Sequence, residues 1–129
     1  MPMTRITVHQ NTSQSRIAAI SEILHHTLVE NFDVPAQDRF QIVEKLPASQ
    51  RIYDRHYLSG ARGDGFILFM LLAGKPRTAA QKSAFCQRLV QRLEQQLDVH
   101  PDDVMVVMQF NTAGDWSFSQ GQLYAQEAQ

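Results

Sequence analysis

The chain answers itself at an offset of about 65 residues, and an internal repeat restricts architecture more tightly than composition does. Ser13 corresponds to Thr78, Ile20 to Phe85, Leu24 to Leu89, Leu28 to Leu93 and Phe32 to Leu97. Asp33-Val34 answers Asp98-Val99, and Asp38 answers Asp103. Each half holds an apolar stripe at helical spacing behind an N-cap residue. The first stripe is Ile17, Ile20, Leu24 and Leu28; the second is Phe85, Leu89, Leu93 and Leu97. Thr78 followed by Gln81 fits a capping box. Strand-like segments flank each stripe: Met3 to Val8 and Phe40 to Leu46, then Phe66 to Ala73 and Val104 to Phe110. Pro35 and Pro101 break the chain between stripe and following strand.

Two strand–helix–strand units follow, over approximately 2–46 and 66–110, with a tail at 111–129. Each should join parallel strands by a right-handed crossover. Side by side they predict an α+β domain covering residues 1–129: a four-stranded, mostly parallel sheet with both helices on one face. Ala48 to Gly65 interrupts the repeat as a polar excursion, with a short strand expected at Ile52-Tyr53. Phe66 to Ala73 is wholly apolar and reads as a strand buried on both faces. Helices cover only one face, so a second copy of the chain is expected on the other, making a homo-oligomer.

The net charge is −1, which offers no basic excess to neutralise a phosphate backbone, so nucleic acid is not an expected partner. No apolar run approaches the length of a membrane span. Met1-Pro2-Met3-Thr4-Arg5 lacks a signal-peptide pattern, and one cysteine, Cys86, cannot form an intrachain disulfide. A cytoplasmic location and a buried thiol beside Phe85 and Leu89 are expected. His25-His26 lacks a second ligand pair at metal-site spacing, so neither a metal nor another cofactor is expected. Tyr53, Asp54, Arg55 and His56 make a dense polar group in the excursion with no specified chemistry.

Pro2 is a different kind of residue once Met1 is removed. Its nitrogen becomes a secondary amine, whose basicity burial and neighbouring charge can tune, and a strand starting at Met3 would hold it rigidly. Asp38, in Asp38-Arg39-Phe40-Gln41, could orient a water or hold a protonated amine. Lys75-Pro76-Arg77, between a strand end and a helix start, suits carboxylate capture; Arg offers a fork and Lys a point charge. Trp116 and Phe118, in Asp115-Trp116-Ser117-Phe118, could line a pocket or pack on a partner subunit.

This series, with Phe32-Asp33-Val34-Pro35, Gln81-Lys82 and Pro101-Asp102-Asp103-Val104, resembles the tautomerase superfamily. Within it the malonate semialdehyde decarboxylase group is the most similar, over Pro2 to about Tyr124. The resemblance implies a trimer of duplicated βαβ subunits with active sites centred on the N-terminal prolines. It implies that Pro2 is catalytic, that Asp38 is its acidic partner, and that Arg77 binds a carboxylate. Lys75 stands where the decarboxylase pattern has another arginine, and Trp116 and Phe118 match a hydrophobic wall. Between Gln41 and Phe66 the match is poor, so no residue role transfers there. The implied activity is Pro2-dependent acid/base chemistry on a small oxo acid, including decarboxylation of malonate semialdehyde. Two alternatives stand beside it. One is tautomerisation or hydration of arylpyruvate or unsaturated acids without decarboxylation. The other is a non-catalytic trimeric binding protein, should Met1 be retained.

Overall fold

A computed structural model describes residues 1–125. In chain order it holds β1 (Pro2–His9), α1 (Gln14–Phe32), β2 (Gln41–Leu46), β3 (Ile67–Ala73), α2 (Ala79–Leu97) and β4 (Val104–Phe110). The repeat is visible in the fold. Both helices have 19 residues, and both end on an aspartate in the left-handed region, Asp33 at φ 54° and Asp98 at φ 55°. Aspartate tolerates that conformation better than a branched residue would. Ser13 caps α1 by accepting from the Arg16 N–H, and Thr78 with Gln81 forms the expected capping box on α2.

The sheet order is β2-β1-β3-β4. β1 pairs in parallel with β2, β3 in parallel with β4, and the units join through an antiparallel β1–β3 pair. Ile6, Val8, Phe69 and Leu71 project into one core with Ile20, Leu24 and Leu28 of α1 and Phe85, Leu89 and Leu93 of α2. The helices meet through Phe32 and Phe85, whose rings stack at 4.8 Å. Arg92 reaches from α2 to Thr27 and Glu30 of α1.

The other sheet face is bare in the single chain. Ile42, Met70, Met105 and Val107 are between 37% and 47% exposed there. Burial along β3 therefore alternates, where the uninterrupted apolar run predicts a strand covered on both sides. Met3, Arg5, Met70, Leu72, Val107 and Gln109 line a concavity of about 210 Å³ on this face.

The excursion departs from expectation. Ile52-Tyr53 forms no strand; a 3₁₀ turn at Ala48–Gln50 is followed by irregular chain. Side chains organise it instead. Buried Arg51 donates to the carbonyls of Thr7, Phe66 and Asp64, beside the stacked rings of Tyr53 and Phe66. Asp103 accepts from the Gly63 N–H at 2.6 Å, and Asp102 from the Ala61 N–H at 3.0 Å. Cys86 is only partly buried, less than its position beside the stripe predicts. No helix is long and apolar enough to cross a membrane among the described residues.

Candidate functional site

The topology brings the start of β1 to the end of β3. Pro2 pairs with Ala73, and the Gly74 N–H donates to the Met1 carbonyl at 2.9 Å. Because β2 runs parallel to β1, the segment entering β2 lies at the same end, and the Thr4 N–H donates to the Phe40 carbonyl at 3.0 Å. Asp38 thereby stands at the chain terminus: its Oδ2 lies 3.0 Å from the Met1 amino nitrogen, both side chains being largely buried. Its Oδ1 is buried and has no partner among the described residues. The Pro2 ring is buried toward the helices. Its nitrogen, in a peptide bond with Met1, carries neither a proton nor a basic lone pair.

The end of β4 closes the same corner. Asn111 donates its N–H to the Ala73 carbonyl at 2.9 Å, and its Oδ1 accepts from the Trp116 indole at 2.7 Å. Trp116 and the Met1 side chain both press on Gly74. A Cβ there would lie 2.6 Å from Trp116 Nε1 and 2.8 Å from Met1 Cε. Phe118 stacks on Trp116 at 5.6 Å, and Phe40 at 5.6 Å and Tyr124 at 5.5 Å pack on Phe118. A row of aromatic rings therefore borders the terminus, and Phe40, Phe118 and Tyr124 remain substantially exposed.

Of the residues singled out in the sequence, Pro2, Asp38, Trp116 and Phe118 gather here. Lys75 and Arg77 follow Gly74 directly in the chain, but Arg77 is turned to another task. Its two terminal nitrogens donate to the Lys75 and Phe32 carbonyls, and its guanidinium lies 5.0 Å from the centre of the Phe32 ring. It thus caps the C-terminal end of α1, where a cation is favoured. Burial lowers its pKa from the ordinary value. The fork has five donors and these contacts leave others open. Lys75 is exposed, and no ion pair holds it among the described residues.

Sequence reasoning missed Phe40, Asn111 and Tyr124 as neighbours of this corner. Phe40 sits in the motif read for Asp38, and its ring could have been paired with Phe118 by the same aromatic argument. Asn111 carried no signal, because its role is a bond to an indole five residues later. Among the described residues no group of three or more His, Cys, Asp and Glu could hold a metal ion.

Comparison with known proteins identifies the family and the fold. The family model described as tautomerase enzyme matches residues 38–119. The probable tautomerase YusQ of Bacillus subtilis (strain 168) is 30% identical over 121 residues, covering 94% of this chain and 95% of its own. A crystal structure of malonate semialdehyde decarboxylase superposes with a TM-score of 0.87 at 28% identity, covering 93% of this chain and 92% of that one. A symmetric trimer of fused 4-OT shares the fold, at TM-score 0.76 and 20% identity over 95% of both chains.

Proposed function

We propose that this chain, which belongs to the tautomerase family, is an enzyme whose working group is the secondary amine of Pro2, freed when Met1 is removed. The observation that carries the proposal is the 3.0 Å contact between the terminal ammonium and Asp38. A carboxylate already faces a cationic chain end, in a site mostly shielded from water. Removing one residue moves that end to Pro2, which β1 holds against Ala73. The second unit cannot repeat this chemistry: by the 65-residue offset Ile67 occupies the place of Pro2, in mid-chain.

The substrate is a small oxo acid. A protonated Pro2 polarises a 3-oxo group while Lys75 and the open donors of Arg77 hold the carboxylate. In malonate semialdehyde the bond to the carboxylate carbon then breaks, carbon dioxide leaves, and the electron pair moves toward the carbonyl that Pro2 polarises. Asp38 orients the ammonium or a water, and Trp116 and Phe118 form the apolar wall. The crystallised relative was studied for decarboxylase and hydratase activities, which supports this chemistry. The chain acts as a cytoplasmic homotrimer in this reading. The bare apolar sheet face supports that assembly, as do the fused 4-OT trimers of the same fold.

A specific observation favours a second reading, keto–enol tautomerisation of an arylpyruvate or hydration of an unsaturated acid. Arg77 is partly committed to backbone carbonyls and Lys75 lacks a bidentate fork. Decarboxylation needs the carboxylate held in a fixed plane; proton transfer by a neutral Pro2 does not. Assays of malonate semialdehyde and phenylenolpyruvate, run side by side, separate the two readings. Pro2→Ala should abolish whichever activity is found, and a Pro2→Ala enzyme as active as wild type on both substrates refutes the proposal. In the third reading, a trimeric binding protein that keeps Met1, neither substrate turns over.

A further inference from the structure

Helix α1 grips the segment that carries Asp38, and one of its grips comes from a residue the proposed chemistry leaves unused. His25 is 6% exposed, and its Nε2 lies 2.8 Å from the carbonyl oxygen of Ala36. A carbonyl oxygen can only accept, so Nε2 carries the proton of this bond. The other ring nitrogen, Nδ1, is buried and has no partner among the described residues. The hydrogen bond of His25 therefore goes to a carbonyl two residues before Asp38.

Other contacts from α1 fall just after Asp38. Arg39 donates to the Ser21 hydroxyl at 2.8 Å and pairs with Glu22 at 3.0 Å, and Gln41 donates to the Ser21 carbonyl at 3.2 Å. Arg39 and Glu22 are exposed, 36% and 56%, so their ion pair contributes little. The bond from His25 lies in a drier setting, where breaking it costs more. The Asp38 carboxylate does not fix itself. Its one ionic or hydrogen-bond partner among the described residues is the terminal amine, and its second oxygen is unpartnered. Its place must come from the backbone beneath it. That backbone is tied at Pro35 by the Asp38 N–H and at Ala36 by His25.

We infer that His25 is a positioning residue for Asp38: its bond to Ala36 sets where the carboxylate stands relative to the N-terminal amine. The assignment rests on the proposed roles of Pro2 and Asp38, and it concerns the rate and pH dependence of that same site.

The test compares His25→Gln with His25→Asn. The glutamine amide nitrogen reaches close to the place of Nε2, whereas asparagine stops near Nδ1; both side chains are polar and uncharged. Rates on the substrate that wild type turns over are measured across pH, with thermal melting of each variant and Pro2→Ala alongside. His25→Asn should lower kcat about ten- to a hundredfold with KM little changed, since misplacement by about 1 Å costs rates of that order. The pH–rate limb due to Pro2 should move to lower pH, because an ammonium that loses its carboxylate gives up its proton more readily. His25→Gln should restore both. Equal kcat and limb position in the two variants overturns the inference. So does a His25→Asn enzyme that melts earlier yet keeps the wild-type limb. Should His25→Asn not fold, a folded His25→Gln with lost kcat overturns it alone, and one that keeps kcat and limb supports it. An inactive Pro2→Ala beside a normal His25→Asn removes only the role of His25; an active Pro2→Ala removes the reading on which it rests.

Discussion

Gly74→Ala adds a single methyl group at the corner where the site is assembled. Its Cβ would lie 2.6 Å from Trp116 Nε1 and 3.1 Å from Trp116 Cδ1. Ordinary contact begins at 3.4 Å, so the indole must retreat by about 0.8 Å. Loss of Met1 would not relieve this, because the tryptophan clash is separate from the one with Met1 Cε. The indole has little room to give. Its N–H is bonded to Asn111 at 2.7 Å and its face is covered by Phe118. Overpacking of this kind costs about 1–3 kcal/mol of stability. A displacement near 1 Å beside the reacting groups costs up to about a hundredfold in rate. Because Trp116 is the one tryptophan of the sequence, its fluorescence reports the movement directly. Gly63→Ala is the control: its added Cβ meets nothing closer than 3.6 Å. Gly74→Ala should lower kcat/KM at least tenfold and shift the emission maximum, while Gly63→Ala does neither. A Gly74→Ala enzyme with wild-type kcat/KM and unchanged emission would refute the reasoning that Trp116 borders the reacting groups.

Arg51→Met should lower stability by about 2–4 kcal/mol, read as a lower urea midpoint, because the Thr7, Phe66 and Asp64 carbonyls lose their donor. Its kcat should stay near wild type: Arg51 sits where β1 ends, at the opposite end of the sheet from Pro2, and an unchanged midpoint contradicts the anchoring role. Burial pushes the Cys86 thiol above its ordinary pKa, which leaves less thiolate at any given pH. Alkylation of native protein by iodoacetamide should therefore be slower than that of free cysteine at neutral pH, and should keep rising at pH values where free cysteine has levelled off. A rate matching free cysteine across that range counts against the burial argument.

The parts of this molecule that repeat are legible in the sequence. Cap, stripe and terminating aspartate are local signals, and each recurs 65 residues later, so α1 and α2 fall where the pattern puts them. Pro2 stands out for the amine that loss of Met1 would free, and Asp38 and Trp116 for their motifs and the family resemblance these carry; the pairing of β1 with β2 and β3 places Pro2 and Asp38 at one corner. What the sequence does not show is held by bonds between distant residues, which leave no periodicity. Ile52-Tyr53 has the composition of a strand, but the chain there is fixed by the Arg51 side chain rather than by a ladder. Arg77 has the charge for a ligand, yet it also closes the end of α1 through the Phe32 carbonyl, 45 residues away. The uninterrupted apolar run of β3 predicts cover on two faces, and one chain supplies only one.

Every step of the proposed chemistry needs a free nitrogen at Pro2, and the intact mass of the protein purified from its native host tests that most directly. The account predicts a mass short by one methionine residue, with Pro2 as the first residue of the chain. A mass that retains Met1 would leave the Pro2 nitrogen an amide and would contradict the account.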